Sequence, residues 1–170
     1  MNIILTGYMA SGKSTIGKYL AEKLKMSFID TDEYIEKQQN KKIKDIFADA
    51  GESFFRELEQ KCARELSEKE NSVISTGGGF VLNRENIELL RKKGIIVNLE
   101  TNEEVIRSRL EASKDSRPLM NGKSVDEILE RFEKRKKFYD NCDIKIKLSV
   151  GVNTEDYAAE IIEKIRNLKG

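Results

Sequence analysis

The chain has 170 residues, 38% hydrophobic and 36% charged, a length and balance that suit one soluble domain with one core rather than two. Its 31 Lys and Arg against 30 Asp and Glu leave a formal charge of +1, which argues against nucleic acid or an anionic membrane as a partner, since both reward a strong basic excess. No histidine occurs, so His-based acid–base catalysis and His-ligated metal sites are excluded; chemistry must come from carboxylates, Arg, Lys, hydroxyls and backbone amides.

In chain order, short apolar and β-branched runs predict strands at Asn2 to Thr6, Ser27 to Ile29, Ser72 to Ser75, Ile95 to Leu99 and Asp143 to Leu148. Amphipathic stretches lie between them and after them. In Asp156 to Leu168, Ala158, Ile161, Ile162, Ile165 and Leu168 recur at helical spacing. Thr101 with Glu104, and Ser124 with Glu127, read as capping boxes, and Gly94 after Arg91-Lys92-Lys93 reads as a helix stop. Alternating strands and helices predict a parallel sheet covered on both faces. The helix-rich segment 31–70 is too long for a simple crossover and is expected to build something extra. The only proline, Pro118, sits in a polar segment, 111–123, that reads as an exposed, movable loop.

Cys62 and Cys142 have no ligand-like spacing and read as two reduced thiols. No apolar run approaches the ~18 residues a membrane span needs. The chain opens on strand-like residues without a signal run, so a cytoplasmic location is expected. With no large apolar surface stripe, a monomer is expected.

Residues 7 to 14 read Gly-Tyr-Met-Ala-Ser-Gly-Lys-Ser, the G-x-x-x-x-G-K-[ST] pattern, after a strand and opening a helix. Glycines let the backbone curl so that its N–H groups converge on phosphate oxygens, and the helix N-terminus adds partial positive charge. Lys13 can reach the β- and γ-phosphates of a nucleotide, Ser14 can bind Mg²⁺, and Thr15 can add a phosphate contact, a set that by itself does not choose among kinase, GTPase and mechanical ATPase. No N-K-x-D guanine-reading sequence occurs, and the third strand ends in Thr76 and glycines rather than a Walker B aspartate. Asp30-Thr31-Asp32 supplies the missing carboxylates. We assign Asp30 to the metal, through water, and Asp32 to the attacking hydroxyl, whose proton it can take. The bland alternative for Asp32 is a helix cap. Arg56 and Glu59, at i and i+3, lie on a helix whose other face carries Phe54, Phe55, Leu58, Cys62 and Leu66. Alone, they read as a surface pair.

Together these pieces resemble the shikimate kinases along nearly the whole chain. They occur in order: GYMASGKST at 7–15, DTD at 30–32 with the YIE of 34–36, GESFFRELE at 51–59, STGGG at 75–79, SRPLM at 116–120, and Arg135 four residues before Tyr139. The resemblance implies a three-layer α/β/α P-loop kinase fold, with a five-stranded parallel sheet in the order 2-3-1-4-5. Residues 31–70 would be a helical substrate-binding region and 111–123 a lid. The implied reaction moves the γ-phosphoryl of ATP to the 3-hydroxyl of shikimate, giving 3-phosphoshikimate and ADP in aromatic amino-acid biosynthesis. A kinase of another polyol acid, or a binding module without turnover, stays open.

The resemblance also implies roles. Asp32, Arg56, Gly78, Gly79 and Arg135 would contact shikimate, with Arg56 and Arg135 on its carboxylate, which a guanidinium pair can grip in bidentate fashion. Glu59 would orient Arg56. Ala10, Ser11, Gly12, Lys13, Ser14 and Thr15 would hold the phosphates, and Arg117 would enter with the lid to stabilise the transferred phosphoryl. An arginine before the lid would stack on adenine; Arg107 and Arg109 are both available and Arg109 is preferred. A second adenine contact would come from the loop near Gly151 to Asn153. Phe80 departs from the smaller residue common after the triple glycine; it either fills core or reshapes the acceptor pocket.

Overall fold

In the computed structural model, which describes residues 1–112 and 123–169, the first strand, β1 (Asn2–Thr6), is buried at every position. Its side chains alternate between two cores. Ile3 and Leu5 enter one, Ile4 the other, as the two-residue period of a strand requires when both faces are covered. The other strands are β2 (Ser27–Asp30), β3 (Ser72–Ser75), β4 (Gly94–Glu100) and β5 (Ile144–Lys147). All pairings are parallel, as the alternation of strands and helices predicted, and the order is β2-β3-β1-β4-β5, as the family resemblance implied.

Helices α1 (Lys13–Leu24) and α7 (Thr154–Lys169) cover one face, packing Ile16, Leu20, Tyr157, Ala158 and Ile161 on Val73, Val97 and Ile146. The opposite face is covered by α2 (Thr31–Gln39), α3 (Ile43–Ser67), α4 (Arg84–Arg91) and α6 (Val125–Arg135). The helix α5 (Glu103–Ala112) sends Val105 to one core and Ile106 with Leu110 to the other. α3 kinks at Gly51 (φ 81°, ψ 176°), the first residue of GESFFRELE. Beyond the kink Phe55, Cys62 and Leu66 are buried, while Phe54, placed on the same face by the sequence pattern, is exposed. Phe80 has no exposed surface and fills core. No described helix is long and apolar enough to cross a membrane.

Three local expectations are corrected. Thr101 is buried and caps nothing; Asn102 Oδ1 accepts from the Val105 amide at 2.9 Å and starts α5. The Ser124–Glu127 capping box is present on α6. Gly94 does not stop a helix. Lys92 closes α4 in right-handed geometry, and Gly94 opens β4 beside Asn2, where a Cβ would overlap the Ile4 side chain. Asp143, read as strand, stands outside β5: its carboxylate Oδ2 accepts from the Ile96 amide at 2.7 Å.

Candidate active site

Thr6 ends β1 and Lys13 begins α1, so residues 7–12 form the loop between a strand end and a helix start. Gly12, at φ 85°, is the N-cap in left-handed geometry. No side chain caps α1 and its first turn holds no acidic residue, so its amides and positive dipole end are left for an anion. The Lys13 ammonium turns back onto the loop, donating to Gly7 O at 2.8 Å, Tyr8 O at 2.9 Å and Ser11 Oγ at 3.1 Å. Burial pulls its pKa down to about 8, against the charges of Asp32 and Asp30. Arg109 reaches over the same loop from α5, donating to Ala10 O, and its Nη1 would lie 3.1 Å from a Cβ on Gly12. Arg107 is instead exposed and pairs with Glu103 at 2.8 Å.

At the end of β2, Asp30 does two jobs. Its Oδ1 accepts from the amides of Asp32 at 3.0 Å and Glu33 at 3.3 Å, capping α2, and its Oδ2 accepts from Ser14 Oγ at 2.8 Å. The capping role weighed for Asp32 therefore belongs to Asp30. Asp32 turns toward the glycine loop, where a Cβ on Gly77 would lie 2.6 Å from its Oδ1. Burial first, then the neighbouring Asp30 charge, push Asp32 up to about 6, while Lys13 and Arg56 pull the other way. Thr31 Oγ1 accepts from the Gly77 amide at 2.9 Å and ties this loop to α2.

Arg56 is held on α3 by two carboxylates, donating from Nη1 to Glu59 at 2.6 Å and from Nη2 to Glu52 at 3.0 Å. Glu59 is no surface residue: it is 1% exposed, and burial pushes it up to about 7 against the pull of Arg56. Its Oε1 has no hydrogen-bond partner among the described residues. A Cβ on Gly79 would overlap the Arg56 guanidinium, so the bare backbone here lets that guanidinium lie against the loop, and a side chain would displace it. Arg135, half-buried at the end of α6, acts through its charge on Glu59, Tyr8 and Tyr139. The Tyr139 hydroxyl donates to Gly78 O at 2.6 Å.

Lys13, Asp30, Asp32, Arg56 and the glycine loop thus gather at the carboxyl ends of β1, β2 and β3, where open α/β sheets bind ligands. Ser14 and Thr15 are exposed on the first turn of α1. Arg117 lies outside the described residues, as do positions 113–122 of the predicted lid. The Gly151–Asn153 loop is exposed between β5 and α7, with Asn153 capping α7 through the Asp156 amide at 2.8 Å. Sequence reasoning missed the tethers made by Glu52, Tyr8 and Tyr139. Only the spacing of Glu52, four residues before Arg56, offered a signal.

A shikimate kinase family match spans residues 9–166. The shikimate kinase of Persephonella marina is 45% identical over 165 residues, 97% of this chain and 99% of that one. The crystal structure of shikimate kinase from Bacteroides thetaiotaomicron superposes with a TM-score of 0.86 at 37% identity, covering 98% of each chain. Shikimate kinase from Acinetobacter baumannii, in complex with shikimate, superposes at 0.87 with 32% identity, covering 99% of this chain and 94% of that one. The chain belongs to the shikimate kinase family, ATP-dependent phosphotransferases acting on an alcohol group of shikimate.

Proposed function

We propose that residues 1–170 work as one kinase domain that moves the γ-phosphoryl of ATP to the 3-hydroxyl of shikimate, releasing ADP and 3-phosphoshikimate for aromatic amino-acid biosynthesis. One observation carries the reading: Asp32 and Arg56 lie against the same glycine loop, at Gly77 and Gly79, and Asp32 also feels the charge of Lys13. A phosphate-binding cation and a carboxylate-binding cation flank one base.

The division of labour follows from charge. The amides of Ala10 to Thr15 and the Lys13 ammonium bind the phosphates, and Arg109 stacks on adenine. Asp32 orients the hydroxyl and takes its proton as the new P–O bond forms and the bond to the ADP oxygen breaks. Arg56 and Arg135 grip the shikimate carboxylate, with Gly78 and Gly79 lining the ring and Glu59 steadying Arg56. Arg117 neutralises the phosphoryl in flight, and the lid, 111–123, excludes water as a rival acceptor. Segment 31–70 is the substrate-binding region.

The residues fit Mg²⁺. Ser14 Oγ offers one hard oxygen ligand, and Asp30 Oδ2, 2.8 Å from it, is placed to accept from one of the ion's waters, which suits an ion that keeps waters and phosphate oxygens as its other ligands. Among the described residues no group of three His, Cys, Asp or Glu is arranged to hold a metal unaided. Bound there with ATP, the ion would neutralise charge on the β- and γ-phosphates.

The test is ADP release from MgATP with and without shikimate. A large shikimate-dependent rate is expected. Equal rates in both arms would sink the proposal.

A further inference from the structure

Tyr8 occupies the second position of the phosphate loop, yet its side chain leaves the loop and is 1% exposed in the core. Its hydroxyl donates to Ile128 O on α6 at 2.8 Å, across 120 residues of sequence. Its ring meets Phe132 of the same helix at 5.3 Å between centroids. Its own carbonyl accepts from Lys13 Nζ at 2.9 Å. One residue is therefore gripped at its backbone by the cation that serves phosphates and at its side chain by the helix that ends in Arg135.

We propose that Tyr8 is a positioning residue that couples the nucleotide loop to the acceptor site by tying the loop to α6. The inference rests on the functional reading above, since it takes Lys13 as the phosphate cation and Arg135 as an acceptor contact.

The mechanism is an exchange of partners. When Lys13 turns to phosphate oxygens it gives up Gly7 O and Tyr8 O, so the backbone at Tyr8 resets. The phenol transmits that reset to Ile128, and α6 carries it two turns on to Arg135. The far end of the same unit is tethered as well, because Tyr139 bonds Gly78 O. Room to move exists: a cavity of about 50 Å³ lies beside the pair, lined by Tyr8, Asn98, Phe132, Lys136 and Tyr139. A close-packed contact would resist such a shift, whereas a bordering void admits it.

The experiment is titration calorimetry of shikimate into the full chain, with and without the magnesium complex of a non-hydrolysable ATP analogue. Wild type is expected to bind shikimate at least about fivefold more tightly with the analogue, the lower end of ordinary coupling. Tyr8→Phe keeps the ring and loses the tether; its ratio is expected to fall below about twofold, with analogue affinity and melting temperature close to wild type. Phe132→Leu, which loosens the ring while leaving the hydroxyl, should lower the ratio less. A wild-type ratio of one overturns the coupling, as does an unchanged ratio in Tyr8→Phe or a ratio lost together with analogue affinity. If Tyr8→Phe does not fold, an unchanged ratio in Phe132→Leu overturns it. Wild type that binds no shikimate at all removes the functional reading itself, and the coupling with it.

Discussion

Ser14 and Asp30 are joined by a 2.8 Å hydrogen bond from Oγ to Oδ2, while the other oxygen of the same carboxylate caps α2. The two roles separate by mutation. Asp30→Asn retains a capping oxygen and removes the charge, so activity should demand a several-fold higher Mg²⁺ concentration with little change in melting temperature. Asp30→Ala should add a loss of about 1 kcal/mol from the missing cap, read as a drop of about 2–4 °C in a melt. Equal Mg²⁺ demand in Asp30→Asn and wild type would detach Asp30 from the metal.

Asp32→Asn should lower kcat by at least about a hundredfold, the scale of a lost general base, while the melt shows a folded chain. The pH profile gives a second reading. Asp32 must be ionised, and it is held up at about 6; Lys13 must be charged, and it is drawn down to about 8. kcat/KM is therefore expected to rise through about pH 6 and fall through about pH 8. The acid limb should vanish in Asp32→Asn. An acid limb that persists in Asp32→Asn would assign it to another group.

Glycines 77 and 79 differ in what they make room for. Gly79→Ala would push against Arg56, so it should raise KM for shikimate by about tenfold, the equivalent of one weakened charged hydrogen bond. Gly77→Ala would push against Asp32, so it should lower kcat instead. Steady-state kinetics on the pair, with KM for ATP as the control, distinguishes the two.

Stability should also respond to pH through the buried carboxylates. Asp32 rises from 3.8 to about 6 and Glu59 from 4.5 to about 7, so the folded chain binds their protons more tightly than the unfolded chain does. Their contribution is greatest below pH 4 and is lost as pH climbs through about 6 and about 7. Lys13, lowered from 10.5 to about 8, has the opposite sign: stability from it rises as pH climbs through that window. Glu59→Gln should flatten the fall between pH 5 and 7 in a series of melts.

Much of the placement of the candidate site was legible because its motifs are local. The loop 7–14, the pair Asp30 and Asp32, and glycines 77–79 each follow a strand, and a parallel sheet brings strand ends together whatever the rest of the chain does. The sheet order was not local in this sense; it came from the family resemblance, and the structure has it. What stayed hidden depends on where side chains turn. Asp30 and Asp32 are one turn-start apart, and only the backbone geometry at Asp30 (φ −99°, ψ 126°) makes it the cap. Glu59 reads as a surface partner of Arg56 until the packing of α3 buries it. Thr101 and Asn102 are both capping residue types, Asn the better of the two, and the helix begins one residue later than the pattern suggested. The Tyr8 bond joins residues 120 apart, and no periodicity points to it.

Under the phosphate role proposed for Lys13, the three loop oxygens around it set the terms on which a nucleotide can come and go. A buried ammonium stripped of partners would be costly, and it would cling to any phosphate that relieved it. Here the cation has a resting place at Gly7, Tyr8 and Ser11, so an arriving phosphate gains only the difference between two satisfied states. Departure of a spent nucleotide leaves no orphaned charge behind. The loop is built for exchange rather than for retention, which is what repeated turnover requires of it.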